Sequence, residues 1–120
     1  MQNKYTPQKL KLLITIVNSG KGNFYSDLIE GFGVNMQLLL SGRGTIPKSA
    51  NNFFGVMNKD RDVIFSFVAE DKVKPLLKIL EDKFESVRDG AGISFSVPMS
   101  SVIGVNVYQF LTDNRKKREV

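Results

Sequence analysis

Two halves of the sequence show the same succession of patterns, and this repeat constrains the fold more than any other feature. In each half a short apolar run is followed by an amphipathic stretch with helical spacing and then by a second apolar run. A further apolar run comes after the second half. The apolar runs lie at 10–17, 36–41, 63–68, 93–97 and 102–111. Two strand–helix–strand units of similar length predict an α+β fold, namely a ferredoxin-like split βαβ repeat with an extra C-terminal strand.

The two helical stretches have candidate caps at their starts. Asn23 is the expected N-cap of the first helix, and Asp71 of the second. Pro75 is expected in the first turn of the second helix, where no backbone donor is yet required. The apolar face of the first helix is formed by Phe24, Leu28 and Phe32. That of the second helix is formed by Val73, Leu76, Leu77, Leu80, Phe84 and Val87.

The first strand indicates that the sheet has two apolar faces. Alternate residues of a strand point to opposite faces, and in this run both alternating sets are largely apolar. One set contains Leu10, Leu12, Ile14 and Ile16, and the other contains Leu13 and Val17. The helices of such a fold cover one face, so the other face remains apolar. A symmetric oligomer is therefore predicted.

The sequence contains no Cys and no His. Their absence excludes disulfides, thiol nucleophiles, His-dependent triads and the common zinc sites. Most routes to acid–base chemistry at neutral pH are closed as well, which favours a binding or signalling protein over an enzyme. Carboxylates occur in pairs at Asp60/Asp62 and Glu70/Asp71. Each pair lies at the predicted start of a strand or helix, where a structural role is expected.

Length and charge predict a single domain over residues 1–120 that does not bind nucleic acid. The net charge is +5, but the tail 115–119 carries +3 of it through four cationic residues and one glutamate, which leaves only +2 for the rest. We expect flexible ends at 1–9 and 112–120. Apolar segments are too short for a signal peptide core or a bilayer span, which predicts a cytoplasmic protein without membrane insertion.

The longest predicted loop covers residues 42–61. It opens with Gly42-Arg43-Gly44-Thr45, where the glycines allow a ligand close to the backbone, or where an ordinary turn carries a solvated arginine. Three large side chains are unusual in a polar loop: Phe53, Phe54 and Met57. They form either a partner-docking patch or a short helix packed on the body of the protein.

Two segments resemble the PII nitrogen-regulatory proteins. "DGAGISFSVPMSSVIGVNV" (89–107) is similar to the end of those proteins, where a Gly-x-Gly loop leads into a strand, a short turn and a strand rich in Val and Ile. "GVNMQLLLSGRG" (33–44) is similar to their second strand and the glycine-flanked root of their long loop. The resemblance implies a homotrimer with adenine-nucleotide effectors in clefts between subunits. It also implies a protein target, a transporter or an enzyme, that is reached by the long loop.

The resemblance also implies an effector site. Its anion-binding part comprises Gly42, Arg43, Gly44 and Thr45 together with Gly90 and Gly92. An adenine-like ring would pack against Ile93 and the edge formed by Asn35 and Met36. For the glycines at 90 and 92, the alternative is that they only end the second helix.

The sequence departs from the family at the phosphate clamp. Ile93 stands where the family has a lysine, and Gly104 and Asn106 stand where it has two arginines. Without these cations, an adenine-type ligand with fewer charges than ATP is expected to bind better than ATP. The loop also contains no tyrosine, which rules out tyrosine nucleotidylylation there. The alternative is a structural or metal-tolerance oligomer like the CutA proteins, which share this scaffold and need no nucleotide.

Overall fold

The computed structural model describes residues 9–44 and 60–100. Along the chain, the elements are β1 (Leu10–Asn18), α1 (Gly22–Glu30), β2 (Gln37–Arg43), β3 (Asp60–Ala69), α2 (Glu70–Ser86) and β4 (Gly92–Pro98). The predicted last strand at 102–111, the chain ends and most of the long loop lie outside the described residues.

The four strands form one antiparallel sheet in the order β2-β3-β1-β4. β1 pairs with β3 on one side and with β4 on the other, and β2 pairs with the outer edge of β3. Each half of the chain thus contributes one central and one outer strand, with a helix between them. The predicted split βαβ repeat is confirmed.

The helices bury one face of the sheet. The core comprises Leu13, Val17, Tyr25, Ile29, Val34, Ile64, Val68, Val73, Leu76 and Leu80. In α2, Leu77 and Phe84 pack against this core as predicted, whereas Val87 is the C-cap residue and is only half-buried. In the first helical stretch, Leu28 and Phe32 pack against the core as predicted, but the fully buried residues are Tyr25 and Ile29, and Phe24 is 43% exposed.

The other face of the sheet is also apolar, as predicted. Residues directly opposite one another on neighbouring strands share a face, and Ile14 lies between Phe65 and Phe95 in the register. We call this surface the open face. It comprises Leu12, Ile14, Ile16, Leu38, Leu40, Val63, Phe65, Phe67, Ile93, Phe95 and Val97. Several of these are more than two-fifths exposed, with Leu40 at 49% and Ile93 at 47%.

Both helix starts differ from the prediction. α1 begins at Gly22 with Lys21 as N-cap, so Asn23 lies inside the helix. α2 begins at Glu70 with Ala69 as N-cap, so Asp71 lies within its first turn. The cause in α2 is that the chain enters the helix directly from β3, where the amide of Glu70 donates 2.8 Å to the carbonyl of Lys9.

Pro75 consequently lies inside α2 rather than in its first turn. At this depth a residue with an N–H would donate to the carbonyl of Asp71, and proline cannot do so. The helix nevertheless continues for eleven residues beyond the proline, to Ser86. Burial of Leu76 and Leu80 in the core stabilises this part of the helix.

The predicted loop 42–61 is too long at both ends. β2 continues to Arg43 and β3 begins at Asp60, and these two residues are paired in the sheet register. Gly42 pairs in the same way with Arg61. The connection between the two strands therefore covers residues 44–59. Cross-strand pairing extends the sheet into segments whose glycine and charged residues are typical of a loop.

Candidate functional site

Four strand ends meet at one end of the sheet, which we call the site end. Asn18 closes β1 and pairs with Arg61 at the start of β3, while Arg61 also pairs with Gly42 near the end of β2. On the other side of β1, Val17 pairs with Gly92, the first residue of β4. The site end therefore gathers polar and charged residues from both halves of the chain.

A cleft of about 210 Å³ opens at the site end. It is lined by Asn18, Ser19, Gly20, Lys21, Asp60, Arg61 and Asp89. Two of these residues are cationic and two are acidic, so the formal charges of the lining cancel. A cleft with this balance favours a ligand of low net charge over one that carries three phosphates.

Arg61 is the most buried charged residue of this cleft. Only 5% of it is exposed, and its Nη1 donates 2.8 Å to the backbone carbonyl of Asp60. A guanidinium carries five donors in a planar fork, which suits it to carboxylate, bicarbonate or phosphate oxygens. Burial of a cation lowers the local screening by water, so an anion placed beside it is bound more strongly than at a surface lysine.

The loop between β1 and α1 is held by Asp62. Its Oδ2 accepts hydrogen bonds from the amides of Gly20, at 3.0 Å, and Gly22, at 2.9 Å. Gly20 has a φ of 95°, in the left-handed region that glycine occupies without strain. A Cβ at Gly22 would lie 2.7 Å from the same carboxylate oxygen, so this contact requires glycine. Asp62 thus performs the capping role that the sequence assigned to Asn23.

The turn between α2 and β4 is held by side chains from the other half of the chain. Asn18 donates from Nδ2 to the carbonyl of Asp89 at 3.0 Å, and the hydroxyl of Tyr25 donates to the carbonyl of Gly90 at 2.7 Å. Burial raises the pKa of the Tyr25 phenol. The amide of Gly90 donates 3.0 Å to the carbonyl of Val87, within the turn itself. Both the amide and the carbonyl of Gly90 are therefore hydrogen-bonded within the protein.

The predicted site residues are only partly brought together within one chain. Arg43 is exposed at the end of β2, and Gly92 and Ile93 open β4. Both groups lie at the site end, but on opposite outer strands, with β3 and β1 between them. Three strand spacings amount to about 14 Å. Arg43 and the Gly90–Gly92 turn therefore do not lie side by side within one subunit.

Asn35 and Met36 lie towards the opposite end of the sheet. The carbonyl of Met36 accepts 3.2 Å from the amide of Phe67, which pairs with Leu12 near the start of β1, whereas Ile93 pairs with Ile16. Gly44 is half-buried directly after β2. Thr45, Phe53, Phe54 and Met57 lie outside the described residues, so the docking patch stays a prediction.

None of the seven residues that line the cleft was among the predicted effector-site residues, and Tyr25, which holds the turn beside it, was missed as well. Asn18 lies one residue beyond the first apolar run at 10–17, Arg61 lay in the predicted loop 42–61, and Tyr25 lay outside the expected apolar face of α1. The one signal for Arg61 is its position between two aspartates in "DRD" at the start of an apolar run. Nothing local distinguishes Tyr25, whose partner is 65 residues away.

Within 9–44 and 60–100, no three His, Cys, Asp or Glu side chains come together in a way that could hold a metal ion. In the same part of the chain, neither helix is long and apolar enough to cross a membrane.

Comparison with known proteins shows which solved structures have a similar fold. No protein-family model and no curated protein sequence matches the chain. Among solved structures, CPII from Thiomonas intermedia K12 bound to ADP, AMP and acetate is 23% identical with a TM-score of 0.60, and the match covers 82% of this chain and 93% of that one. CPII bound to ADP, AMP and bicarbonate, described as a nitrogen regulatory PII-like protein, is 27% identical with a TM-score of 0.55, covering 75% and 91%.

A third structure extends the likeness beyond CPII. A chain from Thermus thermophilus described as a PII-like signaling protein is 15% identical with a TM-score of 0.58, and the match covers 77% of this chain and 87% of that one. The resemblance stated from residues 33–44 and 89–107 is confirmed.

Proposed function

We propose that this chain, a divergent PII-like protein, is a regulatory protein that binds a small effector at the site end of its sheet and reports it to a protein partner. The observation that carries the proposal is the cleft that buried Arg61 lines together with Lys21, Asp60 and Asp89. Such a cleft offers an anion-binding guanidinium, and the absence of His and Cys closes most routes to acid–base chemistry at neutral pH. Binding, not catalysis, is its chemistry.

The effector is of the adenine-nucleotide class with fewer charges than ATP, alone or with a small anion. The cleft lining has no net charge, and the departures at Ile93, Gly104 and Asn106 leave no triphosphate clamp. The similar Thiomonas protein has been found with ADP, AMP and bicarbonate or acetate. These ligands agree with the charge argument, since each carries less charge than ATP.

The functional unit is a homotrimer. The open face exposes large apolar side chains such as Leu38, Leu40 and Phe95, and apolar surfaces of that extent are covered by a partner chain in water. A trimer also completes the site. Arg43 and Gly92 lie on opposite outer strands, about 14 Å apart across the sheet, so a neighbouring chain that brings these two edges together would place both beside one ligand.

The connection between β2 and β3 transmits the signal. It leaves the sheet at Arg43 and returns at Asp60, and Asp60 lines the cleft. A ligand that contacts Asp60 or Arg61 therefore acts directly on the root of this loop. Phe53, Phe54 and Met57 are the side chains that we assign to a protein target, a transporter or an enzyme.

Isothermal titration of the purified protein with AMP, ADP and ATP, each with and without bicarbonate, tests the proposal. Saturable binding of AMP or ADP at micromolar concentration supports it. Absence of binding to all three nucleotides, in a protein that is trimeric by light scattering, favours the CutA-like structural oligomer instead. The open face supports this second candidate function, because an exposed apolar face favours an oligomer whether or not a nucleotide binds.

A further inference from the structure

We infer that Tyr25 is a positioning residue for the effector site, which it serves by fixing the turn at residues 89–90. The inference rests on the proposed function, because it names a residue that acts on the same site without touching the ligand. Tyr25 is completely buried in α1 and does not line the cleft. Its hydroxyl reaches the Gly90 carbonyl at 2.7 Å, from 65 residues away in the sequence.

The packing around Tyr25 fixes the position of its hydroxyl. Its ring meets Phe84 of α2 at a centroid distance of 5.3 Å and Phe24 at 5.0 Å. A phenol held between two rings has little freedom to follow a moving partner. A Cβ on Gly90 would lie 2.8 Å from the Tyr25 oxygen. These contacts leave the turn little room to move relative to α1.

This turn forms a wall of the cleft. Asp89 lines the cleft and has a φ of 54°, in the left-handed region that aspartate adopts more readily than most non-glycine residues. Two neighbouring carbonyls hold it there, one through Asn18 and one through Tyr25. Asn18 belongs to the cleft itself, whereas Tyr25 holds the turn from inside the core.

The turn also leads directly into β4. Gly92 pairs with Val17, and Ile93 follows on the open face, paired with Ile16. A displacement of the turn therefore changes both the cleft and the first open-face residue of β4. The phenol of Tyr25 thus connects the interior of the subunit to the effector cleft and to the surface that we assign to the neighbouring subunit.

Tyr25→Phe is the test, because it removes the hydroxyl and keeps the ring. In titrations with ADP and AMP, with and without bicarbonate, we expect the variant to bind at least fivefold more weakly than the wild type. By hydrogen exchange without ligand, we expect the amides of residues 89–92 to exchange at least tenfold faster while the centre of β1 is unchanged.

Thr15→Val is the matched control. It removes another buried hydroxyl, whose oxygen lies 2.9 Å from Ser94 Oγ between β1 and β4. It is expected to lower the melting temperature in the same way as Tyr25→Phe while leaving nucleotide affinity unchanged. A merely structural role for Tyr25 would make the two variants behave alike in affinity, and that result would overturn the inference.

The outcomes separate the inference from the proposed function. If the wild type binds neither nucleotide, the proposed function fails and the inference fails with it. If the wild type binds and Tyr25→Phe binds equally well, only the inference is overturned. Unchanged exchange at 89–92 in the variant also overturns it, because the turn would then be fixed without the phenol.

Discussion

The carboxylate of Asp62, near the start of β3, accepts a 2.9 Å hydrogen bond from the amide of Gly22, the first residue of α1. The same oxygen accepts from Gly20, so one side chain satisfies two amides of the β1–α1 loop. Amides at a helix start have no partner within the helix, and a carboxylate is the acceptor that the helix dipole favours there. Asp62 therefore joins the start of α1 to the sheet.

Replacing Asp62 with alanine is expected to lower the free energy of unfolding by about 2 kcal/mol, because two amides lose a charged acceptor. Urea denaturation followed by circular dichroism measures this change. Asp71→Ala is the control, since Asp71 is exposed in the first turn of α2 and makes no cap; its effect should stay within about 0.5 kcal/mol. Equal effects of the two variants would show that Asp62 acts only through its charge.

A methyl group at Gly90 is expected to destabilise the protein. The Cβ of Gly90→Ala would lie 2.8 Å from both Tyr25 Oη and Val87 Cβ, and overpacking of this kind costs about 1–3 kcal/mol. Gly31→Ala is the matched control, because its nearest atom would be a carbonyl oxygen at 3.4 Å. Thermal denaturation of both variants checks the prediction. A melting temperature of Gly90→Ala equal to that of Gly31→Ala would contradict the close packing of the turn.

The sequence predicted the order of elements, because apolar side chains recur with the period of a helix or a strand where one face of that element is buried. In this fold the helices and the strands bury their apolar faces against one another. It did not predict the strand ends. Gly42 and Arg43 have the composition of a loop, and they belong to β2 because Arg61 and Asp60 pair with them. These two partners lie nearly twenty residues further along the chain, and no local pattern around Gly42 and Arg43 indicates them.

The site was harder to predict than the fold for the same reason. Tyr25 and Asn18 act on a turn that follows them by more than sixty residues, and Asp62 caps a helix that precedes it by forty. The family resemblance located the glycines at 90 and 92 but assigned the Gly90 amide to an anion. In the structure this amide donates to Val87. Local sequence indicates which residues are unusual, and tertiary structure determines what they contact.

Stability should depend on alkaline pH through Tyr25. Burial raises the pKa of its phenol above the ordinary value of 10.0. As the pH rises above 10, tyrosine in the unfolded chain loses its proton before Tyr25 in the folded chain does, so the unfolded state binds fewer protons and stability falls. Below that pH the contribution is fully present. Urea denaturation between pH 8 and 11 measures it, and the slope above pH 10 should be smaller in Tyr25→Phe. An identical slope in the variant would assign the effect to other groups.

The open face should hold the oligomer together. Phe95 is 41% exposed at its centre, and Phe95→Asp would place a charge inside an interface that must bury about 1,000 Å² or more. We expect the wild type to be a trimer by light scattering at micromolar concentration and the variant to be a monomer. Leu39→Asp is the matched control, because Leu39 is also 41% exposed but alternates to the other face of β2, opposite the core residue Ile64. A monomeric wild type would exclude both the trimer and a site between subunits.

The charge of the cleft should determine which adenine nucleotide binds most tightly. In isothermal titrations ADP and AMP should bind more tightly than ATP, whose Kd is expected above about 100 μM because a cleft with balanced charges cannot neutralise three phosphates. Lys21→Met removes a cation that lines the cleft and should weaken ADP binding by about tenfold. Lys78→Met, on the exposed side of α2, changes the net charge equally and should have no effect.

Arg43→Ala distinguishes a site within one chain from a site between chains. If the nucleotide binds only in the cleft, the affinity of this variant for ADP is unchanged. If the site lies between subunits and includes Arg43, the variant binds ADP more weakly. Micromolar ATP binding that persists in Arg43→Ala and Lys21→Met alike would show that the nucleotide binds elsewhere and that the missing cations at 93, 104 and 106 do not set the specificity.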